Sequence, residues 1–407
     1  MMPRIWWALL SLVSGVSAVS ADSAVMPDSV SRHSSTVSHL EITTGLDYMA
    51  SSVGDELRGD VAPEDKVFTR SALPVHLKYS FSFTNPEIRN YIPGGYQGIG
   101  LGVMNFGALD KGGVSESSRY IGYPVLTYIF QGAPFWHINP NLSMGYEWNF
   151  GAAFGWKPYS DFNRVYNLTV GSRVNAYLNV GIKMQWQVNP HISLTGALVA
   201  SHFSNGNTSW PNPGVNSFGV RVGMEWTINP LPGNYPLPPP ADSIKKRKLE
   251  YDLSLWASTR KRVYKGGDEH VLLPGHYACA GISFAPMYRL GRWFRVGGSA
   301  DIQWDESSNM KKYYVDGATT EDIRFYRPPF GSQISLGLSA HGELQMPIFA
   351  LNIGIGCNIL SPPENRGLYQ NITLKTYIGP KFFLNVGYQL RNFSQQSNLM
   401  LGLGLSI

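Results

Sequence analysis

Two side chains of complementary chemistry stand two residues apart, at His202 and Ser204. An imidazole beside a serine hydroxyl can take its proton and so create a nucleophile, the opening step of acyl transfer. On a β-strand, residues two apart share a face, within reach of such a contact. Asn216 opens the next alternating row, and its phase puts it on that face too. A plainer reading fits the same three residues: polar side chains that mark the end of a hydrocarbon-facing strand. Spacing alone leaves both readings open.

The strands that must carry these residues are written in period-two alternation. Ala176, Leu178, Val180, Ile182, Met184 and Trp186 alternate with Asn175, Asn179, Lys183 and Gln185. From His191, the apolar phase runs through Ile192, Leu194 and Leu198, and its continuation reaches Ala200, His202 and Ser204. Asn216 leads the row Phe218, Val220, Val222, Met224 and Trp226; Leu399, Leu401, Leu403, Leu405 and Ile407 close the chain. Charged residues are 15% of the 407, aromatics 13%, with 43 glycines. Soluble globular proteins average about 25% charged. Low charge with alternating rows, and no apolar run of the roughly 18 residues a membrane helix needs, predicts an all-β transmembrane antiparallel up-and-down barrel. A soluble secreted β-protein is the minor alternative.

Arg4, the apolar run Ile5–Val13 and the small residues ending Val19-Ser20-Ala21 predict a secretory signal peptide over 1–21. An uncleaved anchor is the alternative for that segment. Trp136-His-Ile-Asn-Pro140, Trp186-Gln-Val-Asn-Pro190 and Trp226-Thr-Ile-Asn-Pro230 repeat one pattern, each closing an apolar row. Trp suits the interfacial girdle and Asn-Pro begins a tight turn; short turns lie on the periplasmic side of such barrels. His202 and Ser204 then lie about one membrane-spanning strand away, at the outer-leaflet rim.

Residues 22–228 read as one half of eight strands and 249–407 as a second half of eight, a diverged repeat. The Pro-rich, basic run 229–248 reads as a periplasmic connector. Two eight-stranded barrels and one sixteen-stranded barrel both fit, and the long connector favours two. The net charge of +5 is too small to imply nucleic-acid binding, and two cysteines, Cys279 and Cys357, whose phases put them on opposite faces, form no disulfide framework. Arg260, Lys261 and Arg262 fall in an expected outer loop, where they would contact a lipid phosphate or stay solvated.

The run His202-Phe-Ser-Asn-Gly-Asn-Thr-Ser-Trp-Pro-Asn-Pro-Gly-Val-Asn216 resembles the H-x-S-N segment and following P-N-x-G loop of the outer-membrane lipid A 3-O-deacylase family, also labelled acyloxyacyl hydrolase. The resemblance implies a bacterial outer-membrane esterase that needs no metal or cofactor. It acts on lipid A or another outer-leaflet lipid. Ser204 would be its nucleophile and His202 its general base. It further implies that Asn205 and backbone N–H groups of the next turn, around Asn207, stabilise the oxyanion. Two departures stand out. Asn207 occupies a position where family members carry Gly, and Asn216 replaces a Glu that orients the histidine. Asp161 is the weak substitute acid. In the second half Asn392 stands where His202 stood, so that half is expected to be scaffold or lipid-binding surface. The rival expectation is a non-catalytic barrel, a porin-like channel or a structural protein.

Overall fold

The computed structural model describes residues 36–50, 70–83, 94–109, 121–158, 170–210, 212, 214–231, 248–266, 269–273, 275–291, 293–313, 324–346, 348–362, 366–378, 381–393 and 395–407. The leader over 1–21, residues 232–247 of the 229–248 connector, and Asp161 lie outside the described residues.

The alternating rows become strands. β1 (Thr36–Met49), β2 (Ser71–Phe83), β3 (Tyr96–Phe106), β4 (Gly122–Asn139), β5 (Leu142–Trp156), β6 (Val174–Gln187), β7 (Ile192–Ser204) and β8 (Val215–Thr227) close into one antiparallel barrel. β9 (Leu249–Arg260) is followed by the hairpin β10 (Val263–Gly266) and β11 (Glu269–Leu272), then β12 (Tyr277–Arg289) and β13 (Phe294–Asp305). A second hairpin, β14 (Lys311–Tyr313) and β15 (Arg324–Tyr326), precedes β16 (Ile334–Gln345), β17 (Phe349–Leu360), β18 (Gly367–Ile378), β19 (Phe382–Arg391) and β20 (Gln395–Ser406). β9, β12, β13 and β16 to β20 close a second barrel, with β20 returning to β9. The chain is therefore two eight-stranded barrels, and the single sixteen-stranded alternative is excluded.

Both barrels are inside-out relative to a soluble protein. Leu77, Leu101, Ile182, Leu198, Val220, Leu255, Ile353 and Leu403 face outward and are exposed. No described helix is long and apolar enough to cross a membrane; the crossing elements are strands, whose backbone pairing is complete once the sheet closes.

The repeated W-x-[I/V]-N-P pattern acts through its asparagines. Asn139 Oδ1 accepts the N–H of Asn141 at 2.9 Å. Asn189 Oδ1 accepts those of His191 and Ile192 at 2.8 and 2.9 Å, so each side chain folds its own turn. Asn229 does more: its Oδ1 accepts Ser38 N–H at 2.7 Å and its Nδ2 donates to Thr36 O at 2.8 Å, tying the last strand to the first. Trp136, Trp186 and Trp226 stand exposed on the outer wall at that level.

An eight-stranded interior is just wide enough for side chains, and here charge fills it. Lys78 Nζ lies 2.5 Å from Glu147 and 3.3 Å from Glu41. Lys183 Nζ lies 3.0 Å from Glu41 and 3.5 Å from Glu225. The cavity that Glu41, Lys78, Glu147 and Lys183 line has a volume of about 30 Å³, room for roughly one or two waters. In the second barrel Arg295 meets Glu343, Asp252 and Glu250, and Lys375 Nζ bridges Asp252 and Glu343 at 2.6 Å each. The two free cysteines follow their phases, Cys279 buried and Cys357 exposed.

The barrels touch wall to wall. Near the short-turn end, Ile129, Trp148 and Phe150 pack with Phe349, Leu351 and Leu374. Trp148 meets the Phe349 ring edge-on at 5.4 Å. Near the long-loop end, the turn after β7 meets the second barrel at β20 and just past β9.

Candidate functional site at the outer end of β7 and β8

The direction of His202 and Ser204 is decided by the residue between them. Phe203 is 1% exposed and points into the lumen. There it stacks on Tyr177 at 5.1 Å and meets Trp156 edge-on at 5.2 Å. Because successive strand residues alternate faces, this aromatic anchor drives His202 and Ser204 outward. Both are half-buried there.

The β7–β8 register sets His202 directly opposite Asn216. Their side chains meet, His202 Nδ1 lying 2.7 Å from Asn216 Oδ1. With the amide oxygen accepting, Nδ1 carries the proton and Nε2 is left as the acceptor, the tautomer a general base needs. Among the described residues no hydrogen bond joins Ser204 to His202; such contacts commonly tighten only when substrate is bound.

The turn that follows is built by its own side chains. Asn205 N–H donates to Asn212 Oδ1 at 2.8 Å, and Thr208 Oγ1 donates to Asn205 O at 2.8 Å. Ser209 N–H donates to Asn205 Oδ1 at 3.4 Å, and Asn212 Nδ2 reaches Asn207 Oδ1 at 3.2 Å. Gly206 and Asn207 both take positive φ, 64° and 65°. Asn207 thus adopts the left-handed conformation that Gly takes freely and Asn tolerates better than other side chains. Asn205 is buried with its backbone N–H and carboxamide oxygen engaged, so it shapes the turn.

Two contributors were not singled out in the sequence. Gly214 has φ 82°, and a Cβ there would lie 2.8 Å from Phe203 O and 2.9 Å from His202 Cε1. Its missing side chain makes room for the imidazole. Asn212 links the start and middle of the turn. Both belong to the Pro-Asn-Pro-Gly run, whose glycine was the available signal.

The three basic residues part company. Arg260 is buried in the second barrel, against Asp305 and with its Nη2 2.8 Å from Ser307 Oγ. Arg262 donates to the Ser307 carbonyl. Lys261 is half-exposed, and its backbone N–H donates to Asn207 O at 2.8 Å. In the second barrel Asn392 is exposed at φ 48°, in the turn after β19.

A Ser–His–Asn contact also occurs inside the second barrel. Ser339 Oγ lies 2.8 Å from His341 Nε2, and His341 Nδ1 lies 2.7 Å from Asn352 Oδ1. Ser339 also donates to Asp301 at 2.6 Å, and both Ser339 and Asn352 are buried, so this trio cross-links strands within the lumen. Among the described residues no three His, Cys, Asp or Glu side chains gather as metal ligands would.

Residues 75–225 match the family model described as Lipid A 3-O-deacylase (PagL), and residues 249–407 match that of the acyloxyacyl hydrolase C-terminal domain. No curated relative matches the chain. Among solved structures, Neisserial surface protein A is 10% identical over 46% of this chain and 96% of its own, with a TM-score of 0.29. An outer membrane channel from Pseudomonas putida F1 is 11% identical over 94% and 98%, with a TM-score of 0.19. Similarities at this level carry no argument about function.

Proposed function

From the premise that this chain belongs to the lipid A 3-O-deacylase family of outer-membrane hydrolases, we propose that it hydrolyses an ester-linked acyl chain of lipid A at the outward-facing His202–Ser204 pair. The observation that carries this reading is the 2.7 Å contact of His202 Nδ1 with Asn216 Oδ1, which leaves Nε2 as a base on the face that carries Ser204.

In the first step Ser204 Oγ attacks the ester carbonyl while His202 Nε2 takes its proton. The tetrahedral intermediate collapses as the ester C–O bond breaks, and His202 returns the proton to the departing sugar hydroxyl. Water then attacks the acyl-serine by the same route, releasing the fatty acid and restoring Ser204. The oxyanion is met by Asn205 and by backbone N–H groups of the turn around Asn207. Asn216 orients the imidazole without the charge a carboxylate would bring. A substrate lying in the outer leaflet reaches the site from the membrane side, since the polar pair ends an apolar row of Leu194 and Leu198. Arg260 is buried in the second barrel and Arg262 is engaged by the Ser307 carbonyl, so Lys261 is the basic residue assigned to the lipid phosphate.

The rival reading as a channel fits poorly with lumens closed by ion-pair networks. Mass spectrometry of lipid A decides between them. The wild-type chain should remove one acyl chain, and His202→Ala or Ser204→Ala should abolish the loss while leaving the barrel folded. An identical lipid A profile for the wild type and Ser204→Ala rejects the reading.

A further inference from the structure

The second barrel reaches two consecutive residues of the catalytic turn. Lys261 N–H, one residue past the end of β9, donates to Asn207 O at 2.8 Å. Leu399, on β20, lies against Gly206, where an added Cβ would come within 2.9 Å of the leucine Cβ. Leu399 belongs to an outward row whose later members Leu401 and Leu403 stay exposed at 48% and 56%. Leu399 itself is half-buried where the turn covers it. Gly206 and Asn207 are also the residues held at positive φ. From its own barrel the same turn is fixed by Asn212, which accepts Asn205 N–H. It is thus clamped on one side by Asn212 and on the other by the second barrel.

We propose that the second barrel is a positioning element of the active site, holding the oxyanion-binding turn through the Lys261 N–H and the Leu399 side chain. The inference rests on the deacylase reading and extends it, giving a role to a half that carries Asn392 where a base would have to be. Backbone N–H groups stabilise an oxyanion only when aimed at it in advance. A turn with two successive left-handed residues has easier conformations to relax into. Two contacts from a rigid, separately closed barrel oppose that relaxation. Loss of the clamp therefore acts on the transition state and leaves ground-state lipid binding largely alone.

The test uses the full-length protein in detergent micelles with lipid A as substrate. Folding is scored by the mobility shift of unheated barrels on gels. Proline at 261 removes the N–H donor, whereas alanine keeps it. Lys261→Pro is expected to lower kcat roughly ten- to hundred-fold below Lys261→Ala, the scale on which small misplacements act, with KM of the two within about two-fold. Leu399→Ala should lower kcat several-fold, and Leu399→Met, which still fills the space against Gly206, should restore it. Hydrogen exchange at residues 205–208 should quicken in the impaired variants. Equal kcat for Lys261→Pro and Lys261→Ala, with Leu399→Ala matching Leu399→Met, overturns the inference while the deacylase reading stands. If Lys261→Pro does not fold, the Leu399 pair decides alone. A wild-type chain no more active than Ser204→Ala overturns both.

Discussion

Gly214 lies against His202 so closely that a Cβ on the glycine would sit 2.9 Å from the imidazole Cε1. The same Cβ would press on Phe203 O at 2.8 Å, so the strand backbone beside the imidazole is crowded as well. Gly214→Ala is expected to turn the imidazole away from Ser204 and lower kcat roughly ten- to hundred-fold. It also places a side chain at φ 82°, which costs on the order of 1–2 kcal/mol of stability. Lipid A deacylation rates and urea titration of the same preparation separate the two effects. A wild-type rate in the folded variant would show that the glycine does not set the imidazole's position.

Asn216 holds His202 by its amide oxygen at 2.7 Å but brings no charge to balance an imidazolium. Restoring a carboxylate should strengthen the base in the transition state. Asn216→Glu is expected to raise kcat by roughly ten-fold, with KM nearly unchanged, because the added attraction exists only while the imidazole is protonated. Asn216→Leu removes the acceptor altogether, leaves the ring free to take the wrong tautomer and should lower kcat by about two orders of magnitude. Rates that are the same for asparagine, glutamate and leucine would remove Asn216 from the mechanism.

Much of this arrangement was legible in the chain. Phe203 flanked by His202 and Ser204 is a strand pattern, and strand alternation sets that polar pair on the face opposite the buried Phe203. The Asn-Pro turns were legible because each asparagine bonds its own next residues. Contacts made at long range were not. Nothing near Glu41 announces Lys183, 142 residues away, and the two meet only because the closed barrel brings β6 across the lumen from β1. Arg260 was read as a loop cation. The phase of Asp252 and Trp256, both buried, would have carried it inward to Asp305 had that row been followed to its end. The Lys261–Asn207 contact joins two separately closed barrels, and no local pattern encodes how such walls meet.

The lumen network gives a prediction about stability that is independent of catalysis. Lys183 lies within 3.6 Å of Glu41, Glu147 and Glu225, all three of them buried. Lys183→Met would leave those carboxylates with Lys78 as their remaining cation within this group, and removing one partner of a buried ion pair costs about 3–5 kcal/mol. Urea unfolding in liposomes should register that loss, while the folded fraction of Lys183→Met keeps its kcat, because the network is separated from β7's outer face by the barrel wall. Adding Glu41→Gln to Lys183→Met should recover part of the stability by removing one of the orphaned charges. A double variant less stable than Lys183→Met would mean that the carboxylates are held by hydrogen bonds such as that of Thr195 Oγ1 to Glu41 at 2.8 Å.

The wall-to-wall packing at Trp148 and Phe349 predicts an interface that can be loosened without unfolding either barrel. Phe349 is 6% exposed although it sits on an outer face, and its cover is the Trp148 ring 5.4 Å away. Between the lipid-facing walls of two barrels the hydrophobic effect contributes little, since the displaced solvent is itself apolar. What holds them is ring-edge contact and close fit, worth about 0.5–1.5 kcal/mol per aromatic pair. Phe349→Ala should therefore cost the fold little and loosen the interface instead. Native mobility and each barrel's folding should survive, while cross-linking between cysteines placed at positions 129 and 351 falls. The same variant should lower the deacylation rate only modestly, because the clamp at Lys261 and Leu399 lies at the opposite end of the contact line. A Phe349→Ala chain with the full loss of rate expected of Lys261→Pro would shift the origin of the turn's rigidity from the local clamp to the whole interface.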